Sequence, residues 1–79
     1  MAYMYLSNLK PNEYGRIKGI LQNGRVNKRL YELGLYKNAV VKVVKNDFGP
    51  LILNISGNKL ALGRGLASQV LVEPYSNKN

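Results

Sequence analysis

The sequence predicts a mainly β fold: a small, strongly bent barrel of about five short strands, with one short helix inserted after the first strand. Three observations point that way. Short runs rich in Val, Ile and Leu alternate apolar and polar residues with period two, as half-buried strands do. Breaks rich in Gly, Asn and Pro separate the runs. A single stretch, 26–35, shows helical spacing, and it lies between two of the runs. The 79 residues make one domain, 1–79, with a core over about 5–74 and a polar tail over 75–79. A chain this small buries only somewhat more than half of its unfolded surface, so its core is modest.

Leu6-Ser7-Asn8-Leu9 reads as one helical turn or a lead-in strand. Lys10-Pro11-Asn12-Glu13 is a turn, in which Pro11 fixes φ and Asn12 tolerates φ > 0. Tyr14 to Leu21 is the first strand. Gly15, Ile17, Gly19 and Leu21 share its inward face; Tyr14, Arg16, Lys18 and Ile20 share the other. Two inward glycines suggest a tight bend or a close backbone approach. Gln22-Asn23-Gly24-Arg25 carries an Asn-Gly turn signal.

The helix follows. Val26, Leu30 and Leu33 recur at helical spacing and form one apolar stripe. Asn27 can cap the start through its side-chain oxygen. Gly34 ends the helix, because glycine enters the left-handed conformation without steric cost. Leu35 then folds back on Leu30. Lys28, Arg29 and Tyr31 occupy the opposite face, free to meet solvent or a partner.

Tyr36-Lys37-Asn38 is a turn, and Ala39 to Lys45 is the strongest strand, with Ala39, Val41 and Val43 on one face. Asn46 to Pro50 is turn chemistry. Leu51 to Ile55 is a strand with Leu51, Leu53 and Ile55 inward. Gly57-Asn58 is a two-residue hairpin loop leading into Lys59 to Leu62. Gly63-Arg64-Gly65 breaks the chain, and Leu66 to Gln69 fits one helical turn. Val70 to Glu73 is the last strand, stopped at Pro74. SH3-like and OB-like barrels both fit this order of elements, and the pattern alone does not separate them.

Composition narrows the chemistry. With no cysteine and no histidine, the usual ligands for zinc, copper and iron are missing. The four acids, Glu13, Glu32, Asp47 and Glu73, are far apart in sequence. No metal site and no cofactor site is therefore expected of the isolated chain. Nucleophilic catalysis would fall to Ser7, Ser56 or Ser68 with a lysine base, and no motif supports it. Gly63-Arg64-Gly65 imitates a dinucleotide fingerprint but lacks its third glycine and its long helix. An enzyme is not expected. Nothing resembles a secretory leader or a membrane span, and Asn54-Ile55-Ser56 is read as a chance sequon, so the expected location is the cytoplasm.

Twelve Lys and Arg against four Asp and Glu give a net charge of +8, which favours an acidic partner. The cations are dispersed along the chain, and a block of them would be a sharper signal. Six tyrosines and one phenylalanine, with Tyr14 beside Arg16 and Lys18, keep a single-strand nucleic-acid barrel open, although no RNP-like aromatic run is present. Tyr14, Tyr31 and Tyr36 serve equally well as protein-interface residues.

The order of motifs resembles the ferrous iron transport protein A (FeoA) family. Leu6 to Glu13 is similar to its opening L-x-x-L-x-P-G-E, and Gly15-Arg16-Ile17 to its G-x-I. Arg29-Leu30-Tyr31-Glu32-Leu33-Gly34-Leu35 matches R-L-x-x-L-G-L, the most specific part. Val41 and Val43, then Leu60-Ala61-Leu62, Ala67, Val70 and Val72, resemble the remaining motifs, so the similarity covers about residues 5–73. Asn12 and Asn38 stand where the family usually has glycine; asparagine also tolerates φ > 0.

The resemblance implies an SH3-like barrel and an accessory role in bacterial ferrous iron uptake beside the FeoB-type permease and its cytosolic GTP-binding domain. It carries a family-level link to transition-metal ions. The same domain type at the end of DtxR-type repressors keeps a regulatory reading open. Lys28, Arg29, Tyr31 and Tyr36, with Arg64, are the candidate partner-binding residues. Arg29 has a second reading, as a partner of Glu32 or a strut to loop carbonyls. Oligomeric state is left open.

Overall fold

The structure is a computed structural model that describes residues 3–21 and 24–76, and of Val26 the backbone only. Six antiparallel strands form one sheet: β1 (Met4–Tyr5), β2 (Tyr14–Ile20), β3 (Val40–Lys45), β4 (Leu51–Ile55), β5 (Asn58–Leu62) and β6 (Val70–Tyr75), in the order β1-β6-β2-β3-β4-β5. Helix α1 (Gly24–Glu32) joins β2 to β3, and the single turn α2 (Arg64–Ala67) joins β5 to β6. Leu6–Asn8 is a 3-10 turn that drops Leu6 and Leu9 into the core. The five expected strands are present, and β1 is an additional two-residue strand.

Alternation fills one core. Val41 and Val43 of β3, Leu51, Leu53 and Ile55 of β4, and Val70 and Val72 of β6 all point inward. They meet Ile17, Leu30 and Leu35 in a single cluster, with no polar side chain buried in it among the described residues. Gly15 packs tightly: a Cβ there would lie 2.9 Å from Leu9 Cδ1 and 3.1 Å from Val72 Cβ. That is the close approach expected for one of the inward glycines.

Strand β2 departs from simple alternation. Its register with β6 runs Ile17↔Val72 and then Gly19↔Leu71, so Lys18 forms a bulge. Past the bulge the faces exchange. Ile20, expected outward, packs against the core, and Leu21, expected inward, is 56% exposed. Gly19 therefore answers the bulge and not a close approach; a Cβ there would meet nothing within 4 Å. A second bulge, between Val43 and Lys45, bends β3.

Helix α1 begins earlier than its apolar spacing suggests. Gly24 and Arg25, read as loop, are helical, so Asn27 lies inside the first turns and is not the cap. Gln22 and Asn23, the rest of that loop, and the Val26 side chain of the expected stripe lie outside the described residues. The far end behaves as expected. Leu35 N–H donates to Leu30 O at 2.8 Å and Gly34 N–H to Tyr31 O at 3.0 Å, the paired bonds of a Schellman cap, with Gly34 at φ +100. Leu30 and Leu35 are fully buried. Leu33 is not: it lies past the last helical residue and is 38% exposed.

Three turns show where left-handed backbone is needed. Asn12 at φ 73 and Asn38 at φ 75 fill the two positions at which asparagine replaces the usual glycine. The β4–β5 hairpin turns on Ser56 at φ 52 and Gly57 at φ 86, with Ile55 paired to Asn58. The loop is thus one residue earlier than expected, and Asn58 belongs to the strand. Pro74 does not stop β6, which runs on to Tyr75. Pro74 stands opposite Gly15 of β2, and among the described residues β1 pairs only with Leu71 and Val72, so none pairs with Pro74 on that side. Tyr75, expected in the tail, is in the strand, and residues 77–79 of the tail lie outside the described residues.

Leu30→Ala should cost about 2–5 kcal/mol, while Leu33→Ala should cost under about 1 kcal/mol, because only the first empties a fully buried site. Gly34→Val should also destabilise, since its Cβ would lie 3.1 Å from Ile55 Cγ2 in left-handed backbone. Urea denaturation of the three variants checks this order.

Candidate partner-binding surface

The Schellman cap places the candidate surface. By reversing the chain at Gly34 it brings Tyr36 back beside the last turn of α1, with the Tyr31 and Tyr36 ring centroids 5.0 Å apart and tilted by 42°. That lies in the range that aromatic pairs favour. Both rings remain open to solvent, Tyr31 at 64% and Tyr36 at 44%. Lys28 and Arg29 are exposed on the same helix, and among the described residues Arg29 forms no ion pair with Glu32. Four of the five candidate residues, Lys28, Arg29, Tyr31 and Tyr36, therefore belong to α1 and the turn after it, and none is part of the buried core.

Beneath the tyrosines, a cleft of about 210 Å³ lies between α1 and β2. Ile17 and Leu35 line it as buried apolar residues, Gly19 leaves one side open, and Lys18 and Lys37 add positive charge. Asn27 lines the same cleft, and its Oδ1 is buried with no hydrogen-bond partner. Sequence reasoning gave Asn27 the wrong task, because the helix start was placed at the first apolar repeat.

The fifth candidate, Arg64, lies elsewhere and is engaged. Its Nη2 donates to Asn46 Oδ1 at 2.8 Å, to Gly49 O at 3.0 Å and to Asp47 O. Asn46 in turn donates from Nδ2 to Ser7 O at 3.0 Å and Leu9 O at 2.6 Å. Arg64 thus holds the β3–β4 turn, whose tip, Phe48, is fully exposed.

On the outer face of the sheet, Tyr75, Tyr14, Lys42, Asn54 and Lys59 stand opposite one another in a row across β6, β2, β3, β4 and β5. Arg16 lies 4.8 Å from the centroid of the Tyr75 ring and Lys42 5.8 Å from that of Tyr14, both within cation–π reach. Lys18 Nζ is 3.6 Å from Glu73 Oε1. A wider groove of about 840 Å³ runs between the 3-10 turn and the end of β6, past Leu9, Tyr14 and Pro74. Its residues come from both ends of the chain, so no local motif announces it. Among the described residues no group of three or more Asp and Glu comes together to hold a metal ion.

A bent six-stranded antiparallel sheet with a short helix between its second and third strands defines a small SH3-like domain, with its aromatic and basic residues on the outside. Residues 4–74 match the FeoA domain, and the chain belongs to the FeoA family. A Methanocaldococcus jannaschii protein named as an Fe(2+) transport protein A is 39% identical over 53 residues; the match spans 65% of this chain and 65% of that relative's length. Among solved structures, an iron uptake regulatory protein (FeoA) superposes with a TM-score of 0.87 at 29% identity, covering 95% of this chain and all of that one. Stenotrophomonas maltophilia FeoA complexed with zinc, described as a prokaryotic SH3 domain protein, gives 0.78 at 28% identity, covering 89% of each chain. The T. acidophilum IdeR structure shares the fold at 17% identity, with a TM-score of 0.84 over 95% of this chain and 35% of its own.

Arg64→Ala should destabilise the domain by about 1–3 kcal/mol, and because all three acceptors converge on the single atom Nη2, Arg64→Lys, whose ammonium carries three donors on one nitrogen, should restore part of it. Thermal melts of both variants test this. Titration of the isolated chain with ferrous iron or zinc in a calorimeter should show no stoichiometric site of micromolar affinity, since only scattered oxygen ligands are on offer.

Proposed function

We propose that this domain is a non-catalytic accessory module of ferrous iron transport that docks on the cytosolic part of an FeoB-type permease. Membership of the FeoA family supports the link to iron. So do the relative named for Fe(2+) transport and the Stenotrophomonas neighbour, whose description names it as a candidate activating factor of bacterial ferrous iron transport. The observation that carries the docking surface is the tilted Tyr31–Tyr36 ring pair, exposed beside Lys28 and Arg29 and not part of the buried core. Tyr and Arg are the residues most often found as interface anchors. A charge of +8 suits an acidic partner surface. Work in the cytoplasm accords with a chain that has no cysteine, and no described helix is long and apolar enough to cross a membrane.

A second reading, binding of single-stranded nucleic acid, draws on the outer row in which Tyr14 and Tyr75 stand among Arg16, Lys42 and Lys59. Anisotropy with labelled oligonucleotides separates the two. Phosphate-driven binding falls steeply with salt and would depend on Lys42 and Tyr14. Docking through α1 would instead depend on Lys28, Arg29, Tyr31 and Tyr36 and be indifferent to Lys42 and Tyr14.

Lys28→Ala, Arg29→Ala, Tyr31→Ala and Tyr36→Ala should leave the melting temperature nearly unchanged, and one or two of them should weaken binding to the permease's cytosolic domain by over about 1 kcal/mol. Paired melting and titration experiments check this. Joint loss of stability and affinity in all four would make the face structural and move recognition to Arg64 or the Asp47-Phe48-Gly49-Pro50 turn.

A further inference from the structure

We propose that the groove between the 3-10 turn and the end of β6 binds an extended, proline-rich protein segment flanked by carboxylates, at a site separate from the α1 face. The groove holds about 840 Å³, inside the ~300–1,000 Å³ range of formed binding sites. Its accessible apolar lining is Met4, Tyr14, Pro74 and Tyr75, of which Pro74 is exposed and the others half-buried. Tyr14 and Tyr75 stand opposite one another on β2 and β6. A cation braces each ring: Arg16 lies 4.8 Å from the Tyr75 centroid and Lys42 5.8 Å from that of Tyr14. Walls held before binding spare part of the ordering cost of association.

The backbone beside the groove decides how an occupant is read. Glu13 O accepts from Val43 N–H at 2.9 Å, and Ile17 N–H donates to Ala39 O at 2.8 Å, so residues 13 and 17 turn their backbone groups toward β3. By strand alternation Gly15 does the same. Pro74, opposite Gly15, therefore turns its backbone away from β2 to the outer edge, where among the described residues nothing pairs with it. Proline has no N–H to donate. A strand laid along this edge would find a carbonyl and no donor, which disfavours recognition by a β-ladder. A polyproline II segment needs no ladder. Its rings pack on aromatic walls, and its carbonyls, free of internal bonds, accept from side chains. The groove supplies such donors in the Tyr14 and Tyr75 hydroxyls and the amides of the exposed Asn8 and Asn12.

Charge sets the flanks. Lys10 lines the groove, Arg16 and Lys42 sit against its two rings, and none of the three is in an ion pair among the described residues. Arg16 also donates to Asn38 O at 3.4 Å, a neutral acceptor that leaves its charge in place. Glu13 is the one carboxylate in the lining, and its Oε1 accepts from Lys10 N–H at 2.7 Å. Glu73, opposite Arg16, is paired with Lys18. Three cations against one carboxylate favour acidic residues on either side of the prolines.

The full chain, isotopically labelled, is titrated with the synthetic peptide acetyl-Glu-Pro-Pro-Leu-Pro-Pro-Glu-amide and with a twin carrying Ala at every Pro, each followed by amide chemical shifts. The expected result is a cluster of shifts at Asn8, Asn12, Tyr14 and Tyr75, with the Pro peptide bound about tenfold more tightly than its flexible twin. Tyr75→Ala should weaken the Pro peptide at least about tenfold, while Tyr31→Ala should leave its affinity unchanged. Two changes at exposed positions keep the test independent of folding. Asn12→Gly removes an amide donor at φ 73, a conformation that glycine adopts freely, and Lys10→Glu reverses a charge. Each should weaken the Pro peptide at least about threefold without lowering the melting temperature. Equal affinity for the two peptides, shifts centred on α1, or no saturable shift up to about 2 mM peptide overturns the proposal. So does an oligonucleotide that moves the same amides at lower concentration than the peptide, because the groove would then belong to the nucleic-acid reading.

Discussion

The side chain of Asn46 is the point on which the ends of this barrel depend. Among the described residues no ladder joins β1 to β5, so backbone pairing does not close the sheet on itself. Closure falls to the shared apolar core and to one polar network. The Asn46 amide ties the 3-10 turn, through Ser7 O and Leu9 O, to the β3–β4 turn, and Arg64 ties both to α2. Every link is a bond to a backbone carbonyl or to the Asn46 amide, so the network fixes chain direction as well as distance. It lies at the opposite end of the sequence logic from the core: alternation fills the barrel, and a half-buried asparagine sets how its loops meet.

The strands were legible because a half-buried strand writes its period into the residues. Leu51–Ile55 matches its expected bounds and facing. What alternation could not show was where it breaks. The bulge at Lys18 exchanges the faces of β2, and nothing in Ile17-Lys18-Gly19-Ile20 marks it except a glycine that fits other readings equally well. The helix end was legible through Gly34, whose left-handed φ is a strong local demand. The helix start was not, since Gly24 is a poor helix former and the apolar repeat begins only at Val26. Pro74 misled for a related reason: a proline rule applies to a strand with neighbours on both sides, and only tertiary structure shows that among the described residues Pro74 is paired on the β2 side alone.

The site was legible in part. The exposed residues of α1 follow from the same periodicity that buries Leu30, so Lys28, Arg29 and Tyr31 could be named in advance. The tyrosine pair, the cleft under it and the Asn27 oxygen needed the fold, because they join residues from β2, α1 and the turn at 36–38. Arg64 shows the reverse limit. Between two glycines it looks available, yet it is bound to residues 15 to 18 positions earlier in the chain. Family membership is not written in the chemistry of the side chains; it is carried by the order of motifs that the FeoA family shares.

Among the described residues strand β5 pairs with β4 alone and leaves its other edge free, and that edge has a bearing on how copies of the chain behave in a crowded solution. A bare strand edge is a template for adding further strands. Here the strand is five residues long and its exposed positions include Asn58 and Lys59, while Leu60 and Leu62 turn toward the core. Two such edges approaching one another bring lysines together, and chains of charge +8 already repel. Charge therefore adds to the shortness of β5 in guarding this edge, a protection that added salt thins out and that loss of the charge at Lys59 would weaken at the place where it counts most.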